Sequence, residues 1–304
     1  RENQYVNHSR DKKKNVSKSV NSYLEKNKNK NRKKYVNKAD EHYYEIHNES
    51  QTNNNIKMID FFIDDEKYGE NKELNLYHYI ECNQDSDDNT KAQRGIIKSG
   101  NKIVCKTFGY TEEISSNNPS LLQQLHSFNQ CKFYDAEEGA TIRLFYHNDK
   151  WFISTHRKIN AFQSKWGDLY CSSFGDRFIT GLLFLYNNDP NFKLEVDSKN
   201  NLVNQPVYSC DIFKYYTELL DKSKNYTFLV RNYSQNRIVC DAPENQIVYF
   251  IGAFDKNTNL LLEGNDSFIN FPPKLSFENQ EELINYVNNL DYRYKQGVIV
   301  YFPN

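Results

Sequence analysis

A polar segment over residues 154–167 carries side chains that could bind phosphate and a nucleobase. It reads STHRK over 154–158 and QSKWG over 163–167. Its cations could contact phosphates, as protein–nucleic acid contacts require, and these cations are Arg157, Lys158 and Lys165. Its aromatic rings, Phe162 and Trp166, could stack on a base or an mRNA cap. The segment therefore predicts a site for a nucleotide or an RNA end.

A structural interpretation of the same residues stays open. Phe162 and Trp166 could pack in the core while the charges form a solvated rim. His156 lies among the cations, where it could contact a ligand or simply form hydrogen bonds within the protein.

The segment follows a predicted β-hairpin that must position it. Residues 141–146 and 151–155 flank a tight turn at His147-Asn148-Asp149-Lys150. A second hairpin is predicted over 94–97 and 102–106, around Ser99-Gly100-Asn101.

Other segments complete an α+β pattern with antiparallel sheets and flanking helices. Further strands are predicted at 58–63, 74–80, 226–230, 237–240, 246–254, 260–262 and 298–302. Helices are predicted at 121–128, 174–185, 211–220 and 279–290.

Charge divides the chain of 304 residues into two parts. Residues 1–39 contain 13 basic and 3 acidic residues, whereas the remaining 26 basic and 37 acidic residues give a net charge of −11. Residues 1–55 lack the apolar periodicity needed to fold alone. We therefore predict a flexible basic segment over 1–55, which could bind phosphates, and a folded domain over 56–304.

Apolar runs and cysteines restrict the class of protein. No apolar run approaches the ~18 residues of a membrane span, so we expect no membrane association. The six cysteines have neither zinc-ligand spacing nor the density of a disulfide scaffold, which predicts reduced thiols and an intracellular protein. Met58 is the sole methionine, so we expect the chain to be part of a longer protein.

Four segments in order resemble motifs of the covalent nucleotidyltransferases, the superfamily of RNA ligases and mRNA capping enzymes. The resemblance covers about residues 90–304. The matching segments are Arg94–Ile97 with Lys106–Phe108, Glu138–Arg143, Asn236–Val239 with Tyr249–Ala253, and Gln296–Val300. The resemblance implies the α+β nucleotidyltransferase fold. It also implies that Lys106, Glu138, Arg143 and Arg237 contribute to nucleotide or RNA binding.

The catalytic groups of that superfamily are replaced in this chain. Ala136 occupies the position of the lysine that attacks the nucleotide α-phosphate, and alanine has no nucleophile. Gln296 occupies the position of a carboxylate that orients Mg²⁺, and a hard cation prefers carboxylate oxygen. Val230 stands near the position of another glutamate, and the final Lys-x-Lys motif would lie beyond Asn304.

These departures favour a catalytically degenerate RNA ligase-like domain that binds a nucleotide, an RNA end or an mRNA cap. The first alternative is an active RNA ligase or guanylyltransferase that uses ATP or GTP with Mg²⁺ and a displaced lysine. Lys132 and Lys106 are the candidates, although an extended strand places Lys132 about 13 Å from Ala136. The second alternative is a scaffold that binds protein partners. No metal ligands are predicted. The composition suggests a virus or an AT-rich microbe, and a viral protein would lie in the host cytoplasm or virion.

Overall fold

The computed structural model describes residues 55–64, 72–115, 125, 127–165, 172–189, 192, 209–231 and 239–302. Within these ranges the strands are β1 (Ile56–Asp64), β2 (Lys72–Tyr79), β3 (Arg94–Ser99), β4 (Lys102–Cys105), β5 (Lys132–Ala136), β6 (Ala140–His147), β7 (Lys150–Ser154), β8 (Lys224–Arg231), β9 (Ile247–Asp255), β10 (Lys274–Leu275) and β11 (Gly297–Tyr301). The α-helices are α1 (Asp88–Ala92), α2 (Phe174–Asn188), α3 (Ser209–Glu218) and α4 (Gln280–Asn288).

The strands form three antiparallel sheets. The first sheet has the order β1-β2-β3-β4, the central sheet β7-β6-β8-β9 and the small sheet β10-β5-β11. Antiparallel sheets with flanking helices confirm the α+β class that the sequence predicts.

Both predicted hairpins are present, and two-residue turns close them. Asn148 and Asp149 have φ angles of 47° and 59°, which suit the turn between β6 and β7. Gly100, with φ 55°, begins the turn between β3 and β4, where Ser99 pairs with Lys102. Positive φ at these positions explains the choice of Asn, Asp and Gly.

The central sheet is covered on both faces, because successive side chains of a strand point in opposite directions. Ile142 and Leu144 of β6 are fully buried in a core that includes Phe178 of α2 and Tyr216 of α3. Phe145 of the same strand packs instead with the buried residues of the first sheet. The central sheet therefore lies between the two helices and the first sheet.

The small sheet has a core of its own. Phe133 of β5 and Leu283 of α4 are buried together, with Val298 and Val300 of β11 packed against them. Antiparallel pairing places Gly297 opposite Ala136. Ala136, the residue at the nucleophile position, thus lies at the end of β5.

Several predicted elements differ from the observed ones. Val239 and Cys240 are not a strand, because their amides bind the carboxylate of Glu138 rather than a neighbouring strand. The strand predicted at 260–262 is reduced to one bridge between Leu261 and Phe254. Most of the helix predicted at 121–128 lies outside the described residues, and a 3₁₀ helix occupies Phe128–Gln130.

Predictions for residues 1–54 also lie outside the described residues, so the domain boundary near 55 stays a prediction. Of the six cysteines, Cys82, Cys105, Cys131 and Cys240 are free thiols. In the described ranges, no helix combines the length and apolar character that crossing a membrane requires.

Candidate nucleotide-binding site

A cavity of about 570 Å³ lies where the central sheet meets the small sheet. Thr141, Leu229 and Ile251 line it from the central sheet. The small sheet, α4 and the loop after β4 supply further walls, mostly apolar or aromatic, which include Phe108, Tyr110, Tyr134, Leu283, Val300 and Tyr301. This volume lies within the usual range of small-molecule sites.

Cations gather at one end of this first cavity. Arg94 and His156 line it, and Arg143 and Arg157 are close enough to alter the protonation of His156. We call these four residues the cationic end. Among the described residues, no carboxylate forms an ion pair with any of its arginines.

His156 stays neutral at the cationic end. Burial lowers its pKa well below the ordinary value, and the charges of Arg143 and Arg94 lower it further. Its Nε2 is buried without a hydrogen-bond partner among the described groups. The neighbouring His78 also has a lowered pKa, chiefly because of burial. A neutral imidazole without a partner among three arginines can take up a proton when an anion arrives.

Arg143 lies beneath the cationic end and connects the backbone of β3 to the loop after β7. It is fully buried and donates from Nη2 to the Thr155 carbonyl oxygen at 2.6 Å and from Nη1 to that of Gly95. Gly95 has φ 69°, and a Cβ there would lie 2.7 Å from the His156 carbonyl oxygen. The sequence predicts Arg143 as a ligand contact. The structure places its guanidinium against backbone carbonyls, below the surface on which a ligand would lie.

Arg157 and Lys158 follow His156 but face different partners. Lys158 Nζ lies 3.0 Å from Oδ1 of Asp60, whose Oδ2 accepts the Ile159 amide at 2.8 Å. This contact ties the loop after β7 to β1. The side chain of Arg157 is exposed, so it is the available cation of the pair.

Carboxylates gather at the other end of the cavity, and their partners are in place. Asp135 is buried, and its Oδ2 lies 2.6 Å from Lys295 Nζ. Glu137 forms an ion pair with Arg231, with both side chains largely buried. Burial raises the pKa of Glu137, while Arg231 opposes that change. We call these two ion pairs the acidic end.

Glu138 is also engaged by the protein. Its Oε2 accepts hydrogen bonds from the amides of Val239 at 3.0 Å and Cys240 at 2.7 Å. Because Asp135, Glu137 and Glu138 all have protein partners, they do not fit a Mg²⁺ site. The described part of the chain contains no group of three His, Cys, Asp or Glu that could hold a metal ion.

Neither Lys132, a predicted candidate, nor Lys295, which the structure brings near Ala136, is suited to replace the nucleophile. Lys132 is half exposed at the far end of β5, and its Nζ lies 3.5 Å from Glu263. Lys295 lies nearer to Ala136, but its hydrogen bond to Asp135 raises its pKa and keeps it protonated. A protonated amine has no lone pair with which to attack phosphorus.

The remaining predicted residues are not brought to the cavity lining. Lys106 is half-buried after β4, and Lys165 is exposed after the 3₁₀ helix Ala161–Gln163. Phe162 is 41% exposed and packs over Gly175 at the start of α2. Trp166 and Arg237 lie outside the described residues, so their roles stay predictions.

Sequence reasoning missed most of the cavity. Arg94 appears only within the Arg-Gly motif, and Tyr134, Asp135 and Lys295 carry no local signal of a site. The pairing of β5 with β11, between residues far apart in sequence, brings them together. A motif search around Ala136 could have indicated Asp135 and Glu137, which flank it directly.

Comparisons with known proteins identify viral relatives. No protein-family model matches the chain. The immediate-early protein ICP-46 homologue of Invertebrate iridescent virus 6 is 31% identical over 221 residues, covering 69% of this chain and 44% of that protein. The homologue of Invertebrate iridescent virus 3 is 29% identical, covering 72% and 45%. Immediate-early protein ICP-46 of Frog virus 3 is 25% identical, covering 55% and 38%.

Among solved structures, a putative ATP-dependent DNA ligase from Aquifex aeolicus is similar at a TM-score of 0.40 and 15% identity. The match covers 79% of this chain and 55% of that chain. The chain spans less than half the length of the curated relatives it matches. Over the matched region it is therefore similar to viral immediate-early proteins named ICP-46.

Proposed function

We propose that this chain is a ligase-like domain that binds a nucleotide or an RNA end without forming a covalent adduct. The observation that carries the proposal is the cationic end, whose arginines have no carboxylate partner among the described residues. The motif order resembling RNA ligases supports the fold assignment, and the viral relatives support a viral origin.

Electrostatics supports an anionic ligand. Withdrawing a guanidinium from water without a counter-ion is costly, and an arriving anion offsets that cost. Charge-assisted hydrogen bonds from arginine to phosphate are among the stronger contacts in proteins, and Arg forms them in a fixed, two-pronged geometry. The phosphates of a nucleotide or RNA end would therefore lie against Arg94, His156 and Arg157.

The cavity beside the cationic end suits a base. Tyr134, Tyr301 and Phe108 line it, and their rings pack against one another with Phe254 and Phe271. Such a wall is rigid, and its ring faces attract bases of any identity. Phosphate at the cationic end and base in the cavity describe one nucleotide.

The chemistry at Ala136 supports binding rather than catalysis. The lysine position has no nucleophile, Lys295 is protonated, and the nearby carboxylates already have protein partners. An active ligase or guanylyltransferase remains the alternative, and a scaffold that binds proteins is the second.

Titration of the full chain with ATP, GTP, and capped and uncapped oligoribonucleotides tests the proposal. Binding should be measured for the wild type, Arg94→Ala, Arg157→Ala and the control Lys214→Ala, which removes an exposed cation from α3. We expect the arginine variants to weaken binding and the control to leave it unchanged. Equal affinities in all four proteins would contradict the proposal and favour the scaffold.

A further inference from the structure

A second cavity, of about 590 Å³, lies beside the first. Tyr134, Ile251, Tyr301 and Phe302 line both cavities and so form the wall between them. The new lining includes Lys132 of β5, Lys274 of β10 and Glu263. None of these three residues contributes to the nucleotide site proposed above.

The shared wall is a rigid aromatic surface. Tyr134 stacks on Phe271 with ring centroids 5.0 Å apart and meets Tyr301 edge-on at 5.5 Å. The Tyr301 hydroxyl donates to the Ile251 carbonyl oxygen at 2.7 Å, which fastens β11 to β9. Phe302 remains 45% exposed beside this cluster. The exposed ring of Phe302 therefore offers the accessible stacking face of this wall.

The charges at the mouth favour an anion. Lys132 and Lys274 are exposed, and Lys274 has no ion-pair partner among the described residues. Glu263 lies 3.5 Å from Lys132, but its side chain is 84% exposed, so water screens that pair strongly. Two lysines against one glutamate leave a net positive charge at the opening.

We propose that the second cavity holds one unpaired nucleotide of a single strand whose terminal nucleotide occupies the first cavity. The phosphate of that second nucleotide would lie between Lys132 and Lys274, and its base would stack on the aromatic wall. This inference rests on the proposed function, because it extends the bound ligand from one nucleotide to a strand.

The geometry of β5 supports a nucleic-acid strand that runs continuously from the first cavity to the second. Lys132 lines the second cavity and Asp135 lines the first, and the two residues lie about 10 Å apart on β5 at the usual rise per residue. The two cavities therefore follow one another along β5, and the shared wall separates them. Aromatic faces combined with cations along a groove are typical of sequence-tolerant binding of single strands.

The test compares a mononucleotide with an oligonucleotide. Affinities of the full chain for ATP and for fluorescein-labelled hexaadenylate should be measured from 50 to 300 mM salt. The variants are Lys132→Ala with Lys274→Ala, Glu263→Gln, Arg94→Ala and the control Lys214→Ala.

We expect the double lysine variant to bind hexaadenylate roughly three- to tenfold more weakly at low salt, with unchanged affinity for ATP. Its salt slope should be shallower by ~0.7 for each lysine that contacts a phosphate. Glu263→Gln should strengthen hexaadenylate binding, because it releases Lys132 from its partner. Lys132, Lys274, Glu263 and Lys214 are exposed, so we expect their variants to fold. Arg94 is partly buried and donates to the Gly109 carbonyl oxygen, so a urea denaturation curve of Arg94→Ala accompanies its titration.

The outcomes separate the two proposals. Hexaadenylate affinity that does not change in the double lysine variant overturns the second site, while weaker ATP binding by Arg94→Ala still supports the first. Loss of hexaadenylate binding in the double lysine variant, with no effect of Arg94→Ala on either ligand, contradicts the first site and with it the continuous strand, because the terminal nucleotide would then bind elsewhere. A wild type that binds neither probe overturns both.

Discussion

The two ends of the first cavity differ in how the protein treats its charges. At the acidic end, Asp135 pairs with Lys295 and Glu137 pairs with Arg231. Each of these two carboxylates therefore has its counter-ion within the protein. At the cationic end, the arginines lack carboxylate partners among the described residues, and His156 Nε2 has no hydrogen-bond partner there. A buried charge paired within the protein stabilises the fold, whereas one left without a counter-ion indicates a ligand.

This contrast also explains why resemblance to catalytic motifs is a poor guide to chemistry here. The resemblance predicts Glu138 as a binding residue, yet its carboxylate accepts hydrogen bonds from the backbone amides of Val239 and Cys240. In this chain the Glu138 carboxylate is therefore part of the fold. The cationic end, by contrast, retains groups whose contacts within the protein are incomplete.

The largest expected effect is on stability at the acidic end. Arg231→Met should lower the free energy of unfolding by about 3–5 kcal/mol, because it leaves Glu137 buried without its partner. Urea denaturation of the full chain measures this change. Adding Glu137→Gln should recover much of the loss, since the uncompensated charge is then gone. A single variant as stable as the wild type would show that the pair is not essential to the fold.

The next effect is on binding at the cationic end. Arg94→Ala should weaken ATP binding by roughly 10- to 100-fold, which corresponds to about 1.5–3 kcal/mol for hydrogen bonds to a charged group. Its unfolding free energy should fall by only about 0.5–1.5 kcal/mol, because Arg94 also donates to the Gly109 carbonyl oxygen at 3.2 Å. Calorimetric titration and urea denaturation on the same sample check both values. If Arg94→Ala loses stability but keeps its affinity for ATP, Arg94 serves the fold and not a ligand, which would contradict the contrast between the two ends.

A smaller effect concerns pH. The pKa of His156 is lowered in the folded chain, and an anion beside it should raise that pKa again. Binding then takes up a proton, so ATP affinity should rise by about three- to tenfold from pH 7.5 to 6.0. His156→Asn should reduce this rise, leaving only the contribution of ATP protonation. An identical pH profile in both proteins would exclude His156 from the site.

The same lowered pKa has the opposite consequence for the ligand-free protein. The unfolded chain binds a proton at His156 below pH ~6.5, whereas the folded chain does not, so stability should fall as pH drops through this value. The slope reaches at most ~1.4 kcal/mol per pH unit for one histidine. Denaturation at pH 7.5, 6.5 and 5.5 measures this fall in the free energy of unfolding. We expect a smaller fall with ATP bound than without it.

The smallest expected signal is covalent labelling. Incubation with α-labelled ATP or GTP and Mg²⁺ should give no acid-labile, alkali-stable lysyl-nucleotide band, because Ala136 offers no nucleophile. A band that disappears in Lys132→Ala or Lys295→Ala would identify a displaced nucleophile and make the protein an enzyme.

Local patterns were sufficient to predict the α+β class and both hairpins. The turn residues Asn148 and Asp149, between the segments 141–146 and 151–155, specify a hairpin without reference to the rest of the chain. The prediction that Ala136 stands at the nucleophile position also comes from the sequence alone, through the resemblance to RNA ligases.

Only the tertiary structure decided which charges are available to a ligand. Arg143 and Arg157 are alike in sequence, yet one is fully buried against carbonyl oxygens and the other is exposed. Lys158 is compensated by Asp60, which lies 98 residues earlier in the chain. Such pairings depend on the packing of sheets whose residues are far apart in sequence, so no local sequence pattern predicts them. A charge becomes part of a site or part of the fold according to what the rest of the chain brings beside it.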